Sequence, residues 1–216
     1  MAYHPPSSDL LFPLLGIDER KAGWASIDLN ACPDDDLITH RGLAHCVDSQ
    51  ISIADASIGY GGYLEKRSIY RRSNHFTSGE ELREIHLGCD IWGSAGQAIF
   101  SPLEGYIHSF AFNDKPFDYG ATIIVKHIWE GQVCFALYGH LQKSDLEGIE
   151  AGGPVEKGQK LCHMGDLQDN GGWVPHLHFQ LIRDIRDYKG DYPGVAAQSQ
   201  LGYFKENCPD PSPWLL

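Results

Sequence analysis

The chain has no long apolar run, no Cys-x-x-Cys pair and few cations, and each shortage removes a class of protein. No stretch approaches the roughly 20 consecutive apolar residues of a membrane-spanning helix, and the run Leu10 to Leu15 is short and broken by Pro13. Only 17 Lys and Arg stand against 29 Asp and Glu, a formal charge of −12, with no basic cluster longer than Arg71-Arg72. That balance argues against nucleic acid and anionic membranes as partners, and mildly against adhesion to an anionic cell wall. The opening Met1-Ala2-Tyr3-His4-Pro5-Pro6 lacks the cationic start of a secretory signal. The expectation is a cytoplasmic chain, or a periplasmic or secreted one if a leader has been removed. The six cysteines, Cys32, Cys46, Cys89, Cys134, Cys162 and Cys208, are scattered. Free thiols are the simpler reading, while an even count also permits three disulfides.

What is abundant is turn chemistry. The 24 glycines and 12 prolines lie between short apolar runs along all 216 residues, which favours many strands over long helices. The expected class is mainly β with short helices, in antiparallel sheets because the connections are too short for helical crossovers. Residues 1–55 read as an irregular N-terminal extension, 56–190 as the main domain and 191–216 as a C-terminal tail packed on it. In the extension, Ser7-Ser8-Asp9 is placed to cap a short helix over Leu10 to Leu15, Pro33 to Asp36 reads as a solvated turn, and His40 and His45 as surface residues. Lys66, Arg67, Arg71 and Arg72 form a basic patch, read as a solvated edge that discourages strand pairing, with an anionic substrate group as the alternative. Strands are expected over Gly96–Pro102, Gly105–Phe110, Ala121–Trp129, Cys134–Leu141, Leu161–Met164 and from His176 to Ile182.

Histidine carries the chemistry. In Trp173-Val174-Pro175-His176-Leu177-His178-Phe179-Gln180, period-two alternation sets His176 and His178 on one face and Leu177 and Phe179 on the other. Neutral imidazoles side by side on a rigid strand are a common way to hold a metal, although an isolated pair does not establish one. His86 and Asp90, four apart on an extended chain, also share a face. His140 closes the strand Cys134 to Leu141.

The ordered set His86-x-x-x-Asp90, Tyr138-Gly139-His140-Leu141 and His176-x-His178-Phe179 resembles the lysostaphin-type (LytM-type) zinc endopeptidases. Ser101-Pro102, Gly105, Val155 and Gly158-Gln159 agree with it, and the similarity runs over about residues 84 to 182. The resemblance implies that family's groove-forming antiparallel β fold. It also implies Zn2+ held by His86, Asp90 and His178, with His140 and His176 as the catalytic pair. The function implied is hydrolysis of an amide bond in a peptide or peptidoglycan-derived peptide. The alternative is a non-catalytic binding or regulatory module that keeps the fold, which the presence of all five residues disfavours. Three ligands suit a catalytic site, since a fourth position stays open.

Two departures bear on substrate. Trp173 puts an indole where relatives carry small residues, which would narrow the groove, and Gln180 stands where Glu is common. The segment from Gly165-Asp166 to Gln180, with Cys208-Pro209-Asp210-Pro211, resembles a branch often joined to aminotransferase and kinase-like domains. The remaining candidates read as structural. Cys89 has the wrong parity for a ligand, His108 and His127 sit among apolar neighbours, and His75 and His163 match no part of the motif. Tyr138, two before His140, either lines the site or packs.

Overall fold

Short runs of alternating apolar residues separated by glycine turns become strands, as expected from their period. The computed structural model describes residues 5–7, 10–17, 23–77, 79, 81–129 and 131–215, apart from the side chains of Arg72 and His75. Among them are β1 (Trp24–Ser26), β2 (Ile58–Gly61), β3 (Arg83–His86), β4 (Cys89–Trp92), β5 (Ala98–Phe100), β6 (Gly105–Asn113), β7 (Gly120–Trp129), β8 (Gln132–Leu141), β9 (Pro154–Val155), β10 (Lys160–His163), β11 (His176–Ile182) and β12 (Val195–Ala197). Eight of these form one sheet in the order β1-β2-β4-β11-β8-β7-β6-β9, while β10 pairs with β5 and β12 with β3. The chain is mainly β, with a few short helices. Its pairings are antiparallel except β1 with β2. That pair is parallel because its connection contains the helix His40–Ile53, enough chain to return to the same end of the sheet.

β11 is interior to the sheet, bonded to β4 on one side and β8 on the other, and all seven of its residues are buried. Its odd positions Leu177, Phe179 and Leu181 enter the main core with Ile91, Ile123, Val125, Ala136 and Trp214. Phe179 is wholly buried, and truncating such a side chain to Ala costs about 3–5 kcal/mol. The even positions His176, His178 and Gln180 take the opposite face. Tyr138, in contrast, goes into the main core beside Phe179, with ring centroids 5.2 Å apart. It packs and does not line the site.

The N-terminal region holds more structure than its sequence suggests. The helix His40–Ile53 starts at Thr39, whose side chain accepts the Gly42 N–H at 3.0 Å, and buries Leu43 and Val47. These join Ile27, Leu29, Ile69, Tyr70, Phe76, Trp92 and Trp173 in a second core. Leu11 to Leu15 form a bend and a turn instead of a helix, with Leu14 and Leu15 buried; Ser8 and Asp9 of the expected cap lie outside the described residues. Asp34–Leu37 is a single helical turn with its three carboxylates exposed, and His40 and His45 are exposed. Cys32 and Cys46 are paired as a disulfide, with Cα atoms 6.2 Å apart, so free thiols are confined to the buried Cys89, Cys134, Cys162 and Cys208. The C-terminal residues add β12 and the helix Leu201–Asn207 and send Trp214 into the main core. No helix of the described residues is long and apolar enough to cross a membrane.

Candidate metal centre and active site

His86 and Asp90 were expected to share one extended strand, but the chain changes sheets between them. His86 ends β3, where it opposes Val195 of β12, and Asp90 lies in β4 between Gly61 of β2 and His178 of β11. The crossover is Leu87-Gly88: Leu87 is buried and donates its N–H to Gly194 O at 2.9 Å. Gly88 is required by proximity, because a Cβ there would lie 2.6 Å from His178 Cε1 and 2.8 Å from Phe179 O. The switch brings donors from two sheets together. His86 Nε2 and His178 Nδ1 are 2.8 Å apart, and each is 3.2 Å from Asp90 Oδ1.

Each histidine has one ring nitrogen tied to an oxygen that can only accept, which makes that nitrogen the protonated one. His86 Nδ1 donates to Gly62 O at 2.9 Å, and His178 Nε2 donates to Gln180 Oε1 at 2.9 Å. The Gln180 amide is itself oriented by donation from Nε2 to Pro193 O at 3.1 Å. The lone pairs left on His86 Nε2 and His178 Nδ1 therefore converge with Asp90 Oδ1, a borderline-soft donor set that fits zinc better than magnesium or calcium.

His140 and His176 stand beside this cluster with ring centroids 4.3 Å apart. His140 Nδ1 donates to Asn170 O at 2.9 Å and His176 Nδ1 to Val174 O at 2.7 Å, which leaves both Nε2 atoms unprotonated. His176 Nε2 is 3.8 Å from Asp90 Oδ1. His140 escapes the alternation that sends Tyr138 into the core because its φ is +63°, the left-handed region in which histidine is less costly than most residues. Its backbone is held there by bonds to Tyr119 O and from Gly165 N. Asn170, wholly buried, ties the preceding loop together by accepting from the N–H groups of Gly172 and Trp173 and donating to Trp173 O.

Burial pushes the His86 pKa down to about 4, with the nearby Arg67 charge adding to the effect and Asp90 opposing it. Burial likewise lowers His140, reinforced by His176 and His178, and lowers His176 against the pull of Asp90. Neutral imidazole is the form that binds metal and accepts protons. Burial alone would raise Asp90, but His86 and the Arg67 guanidinium outweigh it and hold the carboxyl well below its ordinary 3.8.

Arg67 was read as part of a solvated edge, and the structure corrects that: it is 4% exposed and Nη1 donates to Asp90 Oδ2 at 2.5 Å. Sequence reasoning also missed Gly62 and Asn170, although Gly61-Gly62 and Asn170-Gly171-Gly172 are the kind of glycine run that marks a turn. The other candidates are accounted for outside the centre. Cys89 and His127 are buried among core residues, His108 bonds Ser109, and His163 bonds Asp145 at 3.0 Å. The side chain of His75 lies outside the described residues.

Residues 84–190, which contain all five of these site residues, match the model of Peptidase family M23. The chain belongs to this family. No curated protein matches it. Among solved structures, this M23 chain is similar to the catalytic domain of the antimicrobial peptidase lysostaphin from Staphylococcus simulans, at 21% identity over 56% of this chain and 80% of that one, with a TM-score of 0.39. It is also similar to Csd3 from Helicobacter pylori, at 23% identity over 57% of this chain and 32% of that one, TM-score 0.37. A zinc containing peptidase from Vibrio cholerae matches at 25% identity over 51% of this chain and 32% of that one, TM-score 0.38. The M23 chain thus spans about a third of the length of the last two. A cavity of about 270 Å³ borders its histidines, walled by Tyr70, Phe76, Phe117, Tyr119, Trp173 and Tyr192.

Proposed function

We propose that the chain is a zinc-dependent metallopeptidase that hydrolyses an amide bond in a peptide or peptidoglycan-like peptide. One observation carries this: two imidazole lone pairs and one carboxylate oxygen converge on a point, while the lone pairs of two further imidazoles remain unused beside it. His86, Asp90 and His178 would hold the ion. Bound zinc supplies Lewis acidity, which makes water acidic enough to act as a nucleophile near neutral pH and polarises a carbonyl.

The protein's own groups do the rest. His140 and His176 each present an unprotonated Nε2 to the cavity. One accepts the proton of the attacking water as the C–O bond forms; that proton then passes to the leaving amine as the C–N bond breaks. The Asn170 and Val174 carbonyls keep Nδ1 protonated throughout, stabilising the imidazolium and preventing either ring from turning its N–H toward the attack path. The aromatic walls exclude bulk water, which strengthens these interactions.

The test is elemental analysis of protein purified without added metal, followed by a cleavage assay on peptides and peptidoglycan fragments. About one zinc per chain and zinc-dependent cleavage are expected. A chain that takes up calcium and no transition metal refutes the proposal, and zinc binding with no amide cleaved assigns the fold to a binding module.

A further inference from the structure

Resting on the zinc-peptidase reading, we propose that Arg67, which lies before the matched residues 84–190, restricts Asp90 to a single ligating oxygen and so reserves an open coordination position for water and substrate. The two Asp90 oxygens have different surroundings. Oδ1 faces His86 Nε2 and His178 Nδ1 at 3.2 Å, and Oδ2 accepts from Arg67 Nη1 at 2.5 Å. A carboxylate with both oxygens free can turn to bind an ion through both. One whose second oxygen is held by a guanidinium turns toward the ion only by straining that charge-assisted hydrogen bond, which favours binding through the other oxygen alone.

Arg67 is built into place. Its Nε donates to Glu65 Oε2 at 2.5 Å, and Glu65 Oε1 in turn accepts the Leu29 N–H at 3.0 Å. Residue 62 must be glycine on two grounds: its φ is +93°, and a Cβ there would overlap Arg67 Nη2. Gly62 also gives its carbonyl to His86 Nδ1, so the segment following β2 braces two of the three ligands. Stability does not explain the arrangement. Buried ion pairs contribute little net stability once desolvation is counted, and Arg67 Nη2 is buried with no hydrogen-bond partner among the described residues. An arginine kept in the interior with Nη1 on a carboxylate of the centre points to a task that a well-packed apolar residue could not perform, and the oxygen it holds is Asp90 Oδ2, not the Oδ1 that faces the two imidazoles.

The test uses the full chain loaded with cobalt(II), whose visible absorption weakens as coordination rises from four to five, and with zinc titrated against a chelator. In Arg67→Met the second carboxylate oxygen is released, so the cobalt absorption is expected to fall several-fold, and the zinc dissociation constant to shift by about 10- to 100-fold, the usual effect of losing an outer-shell partner. Arg67→Lys, which keeps a cation on Oδ2, is expected to retain the parent spectrum. Arg67→Leu, which likewise has no donor, repeats the measurement should the Met variant not fold. An unchanged cobalt spectrum in either neutral variant overturns the proposal. So does a chain that folds with neither neutral residue even at zinc saturation, because Arg67 then serves folding. Neither readout depends on cleavage. A parent that binds no zinc defeats the peptidase reading, whereas a parent that binds zinc with Arg67 variants like itself defeats this inference alone.

Discussion

Gly88→Ala probes the centre without replacing any of the proposed ligands. The added Cβ would lie 2.6 Å from His178 Cε1, 2.7 Å from His178 Nε2 and 2.8 Å from Phe179 O, where ordinary contact begins at 3.4 Å. The carbonyl cannot yield, because β11 is bonded on both sides. Either the His178 ring retreats by about 0.8 Å, the difference between 3.4 and 2.6 Å, or the crossover moves and takes Asp90 with it. Metal–ligand distances tolerate only about 0.2 Å, so a displacement several times larger weakens a bond to zinc. The expected loss in zinc affinity is about 10- to 100-fold, or roughly 1.4–2.7 kcal/mol. Overpacking should add a loss of about 1–3 kcal/mol in stability of the metal-free protein. Chelator competition measures the first and denaturant unfolding the second. Gly202→Ala is the control, since a Cβ there meets nothing within 4 Å. A zinc dissociation constant within about threefold of the parent in Gly88→Ala, from a protein that folds, would falsify the placement of His178 as a ligand held by this crossover, since a real shift of tenfold or more is required.

Three further outcomes are expected. His178→Ala should release zinc, whereas His176→Ala should keep it and lose about 10²- to 10⁴-fold in turnover, and the reverse pattern of zinc content would exchange their roles. Trp173→Gly removes an indole that lines the cavity and packs edge-on to Phe117 at 5.5 Å; it should admit bulkier peptides with zinc retained, and an unchanged cleavage profile would show that the indole does not gate entry. In metal-free protein, His86 titrates near 6.5 when unfolded and about 4 when folded, so the unfolded state binds more protons between those values and stability falls as pH falls through that window. The loss from this residue approaches roughly 3 kcal/mol by pH 4, with His140 and His176 acting in the same direction, and a flat urea midpoint from pH 6.5 to 4.5 would contradict it.

Where one strand obeyed one rule, the sequence was legible. β11 alternates as its letters do, so the common face of His176 and His178 needed only period two. His86 and Asp90 converge as their spacing suggested, but for another reason: the sheet switch at Leu87-Gly88 does what a continuous strand was expected to do. Tyr138 and His140 show the limit of the rule, since a single positive φ at His140 separates residues of equal parity. Arg67 was illegible because its burial depends on Glu65, Gly62 and Asp90 together, and a cation among cations reads as solvated. The helix His40–Ile53 was missed although Leu43, Val47 and Ile51 recur every four residues against the second core, because that single narrow stripe is interleaved with Gly42, serine and β-branched residues that weaken a helical reading.

The register that sets His178 against Asp90 joins residues 88 positions apart, and β12, the partner of β3, follows later still. A ribosome therefore delivers the centre in instalments. His86, Asp90 and their brace Arg67 emerge early, while His178 and the Gln180 that fixes its tautomer come much later. Joining them closes a long loop, whose entropic cost is met only when β11 pairs with its neighbours in the sheet. A growing chain thus lacks the complete donor set until β11 has joined the sheet, so whatever chemistry the centre performs begins only once the sheet is closed.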